Sequence, residues 1–254
     1  MKKGITIIIP VLNEAGTVDS LISRLKATLE SSAEAYELLF IDDHSTDTTT
    51  QILKTYSSTD STIRHYMKQG QPGKSFSILE GIDQATFDTV GMIDADLQYA
   101  PENIGPMLEI MRRTQSDIVI TRRKVNETSP LRRLMSTVFN LVFTRMMFGI
   151  DYDTQSGLKI FKADVFKTLD LSPTPWGFDL EFIVFSLLQG NSIASYDITF
   201  EARTEGEAKI NVISSSFELA KQSVQLRAKI SGSQLRRSYV NNSARFKTET
   251  GVSS

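Results

Sequence analysis

The sequence predicts an α/β domain with a mostly parallel central sheet and helices on both faces. Short apolar or β-branched segments at 5–10, 37–41 and 90–93, with a weaker third strand at 63–67, alternate with segments whose apolar residues recur at helical spacing. Strands that succeed one another through helical crossovers form parallel sheets. The chain has 254 residues, of which 40% are hydrophobic and 23% charged, and this fits one large domain with a filled core.

The intervening helices are predicted at 14–29, 46–57 and 74–85, and an amphipathic helix is predicted at 211–230. After this helix the chain turns polar, and basic residues outnumber the single acidic Glu249. We therefore expect one folded domain over residues 1–230 and a basic, disordered tail over 231–254.

Composition excludes several classes of protein. The formal net charge of −2 argues against a nucleic-acid partner, which would require a basic excess. The absence of cysteine excludes disulfides and thiolate metal sites. The apolar segment at the start is too short for a signal peptide, and no segment approaches the length of a membrane span. We expect a cytoplasmic protein that does not cross a bilayer by itself.

An acidic D-x-D motif follows the fourth predicted strand. It places Asp94, Asp96 and the amide of Gln98 where that strand ends. Hard oxygen ligands of this kind suit Mg²⁺ or Mn²⁺, which commonly bridges a few carboxylates to the phosphates of a substrate. The alternative for an isolated D-x-D is a solvated acidic turn.

Polar segments at 10–14 and 42–47 follow the first two strands and should meet the D-x-D at the carboxyl edge of the sheet, where such sheets bind ligands. A P-loop is excluded because Lys68 occupies the position of its first glycine. The G-x-G-x-x-G dinucleotide motif is absent after the first strand, where Pro10 and Asn13 stand. The remaining interpretation is a nucleotide bound without a glycine cradle, with its diphosphate held by a metal ion.

These motifs resemble those of the family 2 glycosyltransferases, which have the Rossmann-like GT-A fold. In the first half the resemblance is carried by Pro10-x-x-Asn13-Glu14, Asp42-Asp43-x-Ser45-x-Asp47, Gly73-Lys74 with Gly81, and Asp94-Ala95-Asp96-Leu97-Gln98. The second half resembles the polyprenyl-phosphate and dolichyl-phosphate sugar synthases, including dolichol-phosphate mannose synthase. It does so through Thr121-Arg122, Arg132-Arg133-x-x-Ser136, Ser156-Gly157-Leu158-Lys159, Trp176-x-Phe178-Asp179-x-Glu181 and Arg203-x-x-Gly206-x-x-Lys209. The resemblance covers about residues 4–230.

The resemblance implies a role for each matching residue. A donor nucleotide site would be formed by Pro10, Asn13, Glu14, Ile41, Asp43, Lys74, Asp94 and Ala95. Mg²⁺ or Mn²⁺ would be held by Asp94, Asp96 and Gln98. The catalytic residues would be Asp96, Arg122, Arg203 and Lys209. The acceptor phosphate would be bound by Arg122, Arg132 and Ser136. A base or sugar contact would come from Trp176, Asp179 or Glu181.

The residues themselves support parts of this assignment. Asp43 can accept the ring N–H of uracil or guanine, whereas Ser45, Thr46 and Asp47 also suit the start of a helix. Arginines such as Arg122 are suited to bidentate phosphate binding. His44 stands where relatives usually have glycine.

The resemblance implies inverting transfer of a hexose from a nucleotide diphosphate sugar, of the GDP-mannose or UDP-glucose type, to a polyprenyl phosphate. One alternative is a family 2 enzyme that acts on a sugar hydroxyl, for which Asp179 or Glu181 would be the base. Another is a non-catalytic subunit that binds nucleotide sugars.

Residues 129–150 are a candidate segment for association with the membrane surface. This segment is apolar on nearly all sides, carries Arg132, Arg133 and Arg145, and predicts a helix that starts at Ser129-Pro130. Such a helix lies either in the membrane interface or in a buried core or dimer contact. We expect a peripheral protein at the cytoplasmic face of a membrane, working alone, as a homo-oligomer or with an integral membrane partner.

Overall fold

A computed structural model of the chain describes residues 1–33, 35–124, 147–150, 154–175, 177–199 and 212–230. Its strands form one seven-stranded sheet. They are β1 (Lys2–Val11), β2 (Tyr36–Asp42), β3 (Ile63–Met67), β4 (Phe87–Met92), β5 (Ile118–Lys124), β6 (Lys159–Lys162) and β7 (Ile193–Thr199). The four strands predicted in the first half are confirmed, each within a few residues of its predicted ends.

The sheet order is β3-β2-β1-β4-β6-β5-β7. Strands β1, β2, β3 and β4 are parallel, and so are β5 and β7, whereas β6 is antiparallel to both β4 and β5. Because β6 runs the other way, it begins at the edge where β4 ends, and Lys159 pairs with Met92. The reversed strand therefore adds its first residues to the edge that the sequence predicts as the ligand site.

The described helices cover both faces of the sheet. They are α1 (Val18–Ser32), α2 (Thr49–Thr59), α3 (Lys74–Gln84), α4 (Ile104–Thr114), α5 (Ala163–Lys167), α6 (Phe178–Leu188) and α7 (Val212–Lys229). The predicted helix at 46–57 begins three residues later than expected. The amide oxygen of Asn13 accepts the backbone N–H groups of Thr46 and Asp47, which keeps these residues out of the helix.

Alternation along the strands produces a core on each side of the sheet. Ile7 and Ile9 of β1 belong to the apolar cluster beneath α1 and α4, whereas Ile8 belongs to the cluster beneath α3 and α6. Helix α6 is buried along nearly its whole length. The sheet is thus covered by helices on both faces, as parallel sheets require. None of the described helices combines the length and apolar character needed to cross a membrane.

Candidate active site

The carboxyl edge of the sheet brings acidic and basic side chains together. Asp43 follows β2, Asp94 and Asp96 follow β4, and Lys74 is the first residue of α3. Lys159 joins them as the first residue of the antiparallel β6. The order β2-β1-β4-β6 sets Asp43 at one end of this edge and Lys159 at the other.

The centre of the edge is an ion pair between Lys74 and Asp94. The Lys74 Nζ atom lies 2.5 Å from Asp94 Oδ1, and each side chain is about a quarter exposed. Burial raises the pKa of Asp94, and the nearby Asp96 and Asp179 add to this rise, although Lys74 opposes it. Burial would lower the pKa of Lys74, but Asp94 and Asp179 outweigh it and raise that pKa. Negative charge therefore predominates around this pair.

Gly157 packs closely against the carboxylate of Asp94. A Cβ atom at this position would overlap Asp94 Oδ2 and would lie 2.8 Å from both Asp94 Cγ and Tyr99 Cε2. Glycine is the residue that permits this approach, because even one added methyl group would force the carboxylate aside. The close contact fixes the rotation of the Asp94 carboxylate.

Asp96 and Gln98 complete the D-x-D turn. Asp96 is only 9% exposed, and its Oδ1 atom accepts the backbone N–H of Gln98 at 3.2 Å. Leu97 between them has a left-handed backbone, with φ of 59°. This tight turn keeps the backbone of Gln98 next to the Asp96 carboxylate.

The donor atoms of the turn fit a hard divalent cation. Within the described part of the chain no group of three or more His, Cys, Asp or Glu residues could hold a metal by itself. Mg²⁺ is usually bound by one or two carboxylates together with substrate phosphates and water. Asp94 and Asp96, with the amide oxygen of Gln98, are a ligand set of that kind and would need the substrate to complete the coordination.

A second, buried ion pair supports the edge beside β6. The Lys159 side chain is fully buried, and its Nζ atom lies 2.6 Å from Asp179 Oδ1. Lys159 also donates to the backbone carbonyl of Ser156, whose hydroxyl bonds to Thr121. Asp179 lies in the first turn of α6, where a carboxylate is favoured by the helix dipole. Asp179 is therefore held by a cation rather than presented as an unpaired base.

Asp43 lies at the other end of the edge, where the sequence predicts the nucleotide base. Its Oδ2 atom accepts the backbone N–H of Gly73 at 2.8 Å, and its Oδ1 atom lies 2.6 Å from the Nζ atom of Lys68. The neighbouring wall residues Pro10 and Ile41 pair across β1 and β2. This end of the edge therefore combines the apolar Pro10 and Ile41 with the acidic Asp43.

Asn13 and Glu14 organise the loop that follows β1. Besides accepting two N–H groups through its side chain, Asn13 donates its own backbone N–H to the Ser45 hydroxyl at 2.9 Å. The Glu14 N–H donates to the Thr49 hydroxyl at 2.8 Å. Asn13 thus has a structural task in this structure, and contact of either residue with a nucleotide stays a prediction.

Arg122 lies exposed near the end of β5 and is bound by a carboxylate of the neighbouring strand. Its Nε and Nη2 atoms bond to the two carboxylate oxygens of Asp197 on β7, at 2.7 and 3.0 Å. This fork is the geometry with which an arginine also binds a phosphate. The structure shows that the guanidinium is held in a bidentate arrangement; its contact with an acceptor stays a prediction.

Glu181 lies apart from the ion pairs at the edge. Its side chain is buried, and Oε1 accepts the backbone N–H of Ser172 at 3.1 Å. Among the residues that the structure describes, Oε2 has no hydrogen-bond partner. Burial raises the pKa of this carboxyl group. Asp179 and Glu181 are two residues apart on α6, so they do not share a face of the helix.

The remaining predicted residues are distributed as follows. Ala95 is buried in the core beneath the edge. Trp176, Arg132, Ser136, Arg203 and Lys209, together with nearly all of the predicted helix at 129–150, lie outside the described residues. The structure therefore brings together the predicted donor and metal residues, while the acceptor side is represented by Arg122.

Comparison with known proteins agrees with the fold. The model of the family described as "Glycosyl transferase family 2" matches residues 6–170. The chain belongs to this family. The matched residues include both acidic segments of the site, namely the segment that follows β2 and the D-x-D that follows β4.

Curated relatives of this family 2 glycosyltransferase include transferases that act on polyprenyl phosphates. The dodecaprenyl-phosphate galacturonate synthase of Rhizobium johnstonii is 26% identical over 82% of this chain and 62% of its own length. An undecaprenyl-phosphate 4-deoxy-4-formamido-L-arabinose transferase of Salmonella paratyphi A is 30% identical over 66% of this chain and 51% of its own. The glycosyltransferase AglD of Haloferax volcanii is 24% identical over 82% and 34%, respectively. The chain thus spans about a third to three fifths of these relatives.

Solved structures show the same GT-A fold. Glucosyl-3-phosphoglycerate synthase from Mycobacterium tuberculosis, in complex with Mn²⁺, UDP-glucose and phosphoglyceric acid, superimposes with a TM-score of 0.71 at 17% identity, covering 91% of this chain and 81% of that one. A complex of the same enzyme with Mg²⁺ and UDP gives a TM-score of 0.64 at 19% identity, with the same coverage. At these identities the comparison establishes the fold.

Three residues of the edge received no role from the sequence. In the sequence, Lys68 stands out only as the residue that rules out a P-loop, and Gly157 and Lys159 stand out only as parts of a longer motif. A lysine at the start of β6, next to the apolar Ile160 and Phe161, is a signal for a buried ion pair, because a buried charge needs a partner. Lys68 follows the mixed strand β3 and gives a weaker signal. The partners, Asp43 and Asp179, are far away in the sequence and could not be identified from spacing.

Proposed function

We propose that this family 2 glycosyltransferase transfers a hexose, with inversion, from a nucleoside diphosphate sugar to a polyprenyl phosphate in a reaction that requires Mg²⁺ or Mn²⁺. The proposal for the acceptor is supported by the names of the relatives from Rhizobium and Salmonella, which act on dodecaprenyl and undecaprenyl phosphates. The donor is of the GDP-mannose or UDP-glucose type.

The observation that carries the proposal is the charge cluster at the carboxyl edge. Asp94 pairs with Lys74, Asp179 pairs with Lys159, and Asp96 lies close to the first pair. Burial raises the pKa of Asp94, and the charges of Asp96 and Asp179 add to this rise, although Lys74 opposes it. Three carboxylates against two ammonium groups leave a negative excess. An anionic diphosphate would be repelled by such a site unless a cation accompanies it, so the arrangement suits a diphosphate that arrives with a divalent metal.

Each residue of the edge would bind a different part of the donor. Asp43 would accept a ring N–H of the base, and Lys74 would hold the diphosphate beside Asp94. Asp94, Asp96 and Gln98 would hold Mg²⁺ or Mn²⁺, which would neutralise negative charge that develops on the leaving diphosphate. The Lys74–Asp94 ion pair keeps both groups fixed before the donor binds, so little reorganisation is needed during the reaction.

The acceptor needs orientation more than deprotonation. A phosphate monoester has its second pKa near about 6, so its oxygen is already anionic near neutral pH. Arg122, together with Arg132 and Ser136, would bind this phosphate and aim it at the sugar. The pairing of Asp179 with Lys159 agrees with an acceptor that requires no general base. Arg203 and Lys209 would cover the leaving diphosphate.

The proposed setting is the cytoplasmic face of a membrane, where a polyprenyl phosphate presents its head group. The apolar segment 129–150, with its arginines, would lie in the interface beside the acceptor. Residues 1–230 would form the catalytic domain and residues 231–254 a basic tail. A homo-oligomer or an integral membrane partner would be compatible with this arrangement.

A transfer assay tests the proposal. The purified chain is incubated with UDP- and GDP-sugars, a short water-soluble polyprenyl phosphate and Mn²⁺ or Mg²⁺, and the lipid product is identified by mass spectrometry. Asp96→Ala should abolish transfer and make nucleotide affinity insensitive to added metal. Asp83→Ala, at an exposed acid of α3, is the matched control and should behave as wild type. Transfer only to sugar hydroxyls, or metal-dependent turnover retained by Asp96→Ala, would contradict the proposal.

A further inference from the structure

Lys68 is a buried lysine that contacts Asp43, at the end of the edge where the sequence predicts the nucleotide base. The residue follows β3 directly, and its side chain is 0% exposed. Burial of an ammonium group is costly unless the charge is paired and its hydrogen-bond donors are satisfied. Such a residue therefore needs a specific partner, and the identity of that partner indicates the role of the lysine.

All three N–H donors of Lys68 have acceptors. The Nζ atom lies 2.6 Å from Asp43 Oδ1, 3.1 Å from the carbonyl oxygen of Gly73 and 3.2 Å from the Ser77 hydroxyl. An ammonium group has three donors and no acceptor, so Lys68 has no donor left for a substrate. Its effect on a ligand must act through Asp43 and through the loop that ends at Gly73.

The loop between β3 and α3 is fastened at both ends. The Glu80 carboxylate accepts the backbone N–H groups of Gln69 and Gly70, at 2.9 and 2.7 Å. At the other end, the N–H of Gly73 donates to Asp43 while its carbonyl accepts from Lys68. Asp43, Lys68 and Gly73 thus form a closed triangle of bonds directly before Lys74, which reaches the metal ligands.

We propose that Lys68 is a positioning residue that holds Asp43 as a fixed acceptor and thereby selects donor bases that carry a ring N–H. This inference rests on the proposed function, because it assumes that Asp43 faces the base. Both oxygens of Asp43 receive N–H donors from the protein, which orients the carboxylate and requires it to be an acceptor.

The selection follows from hydrogen-bond chemistry. Uracil and guanine present a ring N–H at the edge that a carboxylate can reach. Adenine and cytosine have an unprotonated ring nitrogen at the corresponding position, which is an acceptor. Two facing acceptors repel, and burying a polar group without its hydrogen-bond partner is unfavourable. The Lys68-held carboxylate should therefore favour uridine or guanosine diphosphates over those of adenosine and cytidine.

Binding of free nucleotides tests this inference without any transfer step. Isothermal titration calorimetry with UDP, GDP, CDP and ADP, in the presence of Mg²⁺, gives four affinities for each variant. In the wild type, UDP or GDP should bind at least about tenfold more tightly than CDP and ADP. Lys68→Met should weaken the preferred nucleotide by about tenfold and reduce its advantage over CDP and ADP, since a tenfold change in affinity is about 1.4 kcal/mol.

Lys162→Met is the matched control. Lys162 also pairs with an aspartate, since its Nζ lies 2.8 Å from Asp117 Oδ1, but it stands at the far end of β6 from Lys159. The control should leave all four nucleotide affinities unchanged, even where it lowers the melting temperature. If Lys68→Met lowers the melting temperature while the ratios of the four affinities stay as in the wild type, Lys68 is merely structural and the inference is overturned.

Two further variants keep the test decisive if Lys68→Met does not fold. Ser77→Ala removes one acceptor of Lys68 without burying an unpaired charge, and it should weaken the preferred nucleotide by a smaller factor than the loss of Lys68. Asp43→Asn should remove the preference among the bases. A preference unchanged by both variants would overturn the inference. Since binding does not require turnover, absence of sugar transfer would contradict the proposed function and leave this result intact.

Discussion

Substitution of Gly157 by alanine should damage the active site while leaving the fold largely intact. The added Cβ would overlap Asp94 Oδ2 and lie 2.8 Å from Asp94 Cγ, whereas comfortable carbon contacts begin near ~3.5 Å. The Asp94 carboxylate must therefore move by roughly 0.7–1 Å, which breaks its 2.5 Å contact with Lys74. A displacement of about 1 Å at a catalytic group can reduce the rate by about 100-fold.

Steady-state kinetics with varied donor should show this reduction in kcat/KM, measured together with thermal unfolding. Gly91→Ala is the matched control, because its Cβ would lie 2.6 Å from the flexible end of the Ile7 side chain in the core. Overpacking there should cost about 1–3 kcal/mol of stability, with kcat/KM of the folded protein preserved. If Gly157→Ala keeps kcat/KM within about threefold of wild type, the close contact does not secure Asp94, and the reasoning is refuted.

Three more predictions concern the acceptor, the buried acid and the membrane. Arg132→Ala should mainly raise KM for the lipid phosphate and Arg203→Ala should mainly lower kcat; equal effects on donor binding alone would contradict these roles. Burial raises the pKa of Glu181 in the folded state, so wild-type stability should fall as pH rises from about 4.3, the unfolded value, through the folded value. In denaturant titrations at several pH values, Glu181→Gln should remove that part of the pH dependence. If the free energy of unfolding of the variant falls with pH as steeply as that of the wild type, the prediction is wrong. Replacement of Phe139 and Phe143 by serine should reduce liposome binding and activity on long-chain acceptors but spare a short soluble acceptor; global unfolding would instead identify a core helix.

The first half of the fold was predictable because its signals are local. The strands between Ile5 and Ile93 are short and, apart from β3, mostly apolar. The helices between them have regular apolar spacing, so that each element can be recognised by itself. The reversed strand β6 is different. Its four residues, Lys159–Lys162, pair with β4 and β5 through contacts distant in the sequence, and nothing in so short a segment indicates its direction.

The candidate site was predictable to the extent that its residues follow strands. Asp43, Asp94 and Asp96 could be assigned to the carboxyl edge because parallel strands end on the same side. The ion pairs of Lys68 with Asp43 and of Lys159 with Asp179, and the close approach of Gly157 to Asp94, could not be predicted. Each of these contacts joins residues that are 20 or more positions apart in the sequence. Sequence patterns thus identified which groups reach the edge, and the tertiary structure was needed to show how they are held.

The pairs at the edge suggest why a site with several carboxylates can bind an anionic donor. Lys68 and Lys159 are fully buried and neutralise Asp43 and Asp179 at the two ends of the edge. The Lys74–Asp94 pair at the centre is partly exposed, and Asp96 adjoins it. The negative excess is therefore concentrated at the D-x-D turn, between two ends that are already balanced. A divalent cation would be attracted to this one point, and the diphosphate with it, because the charges of the lysines at the two ends are already balanced by Asp43 and Asp179.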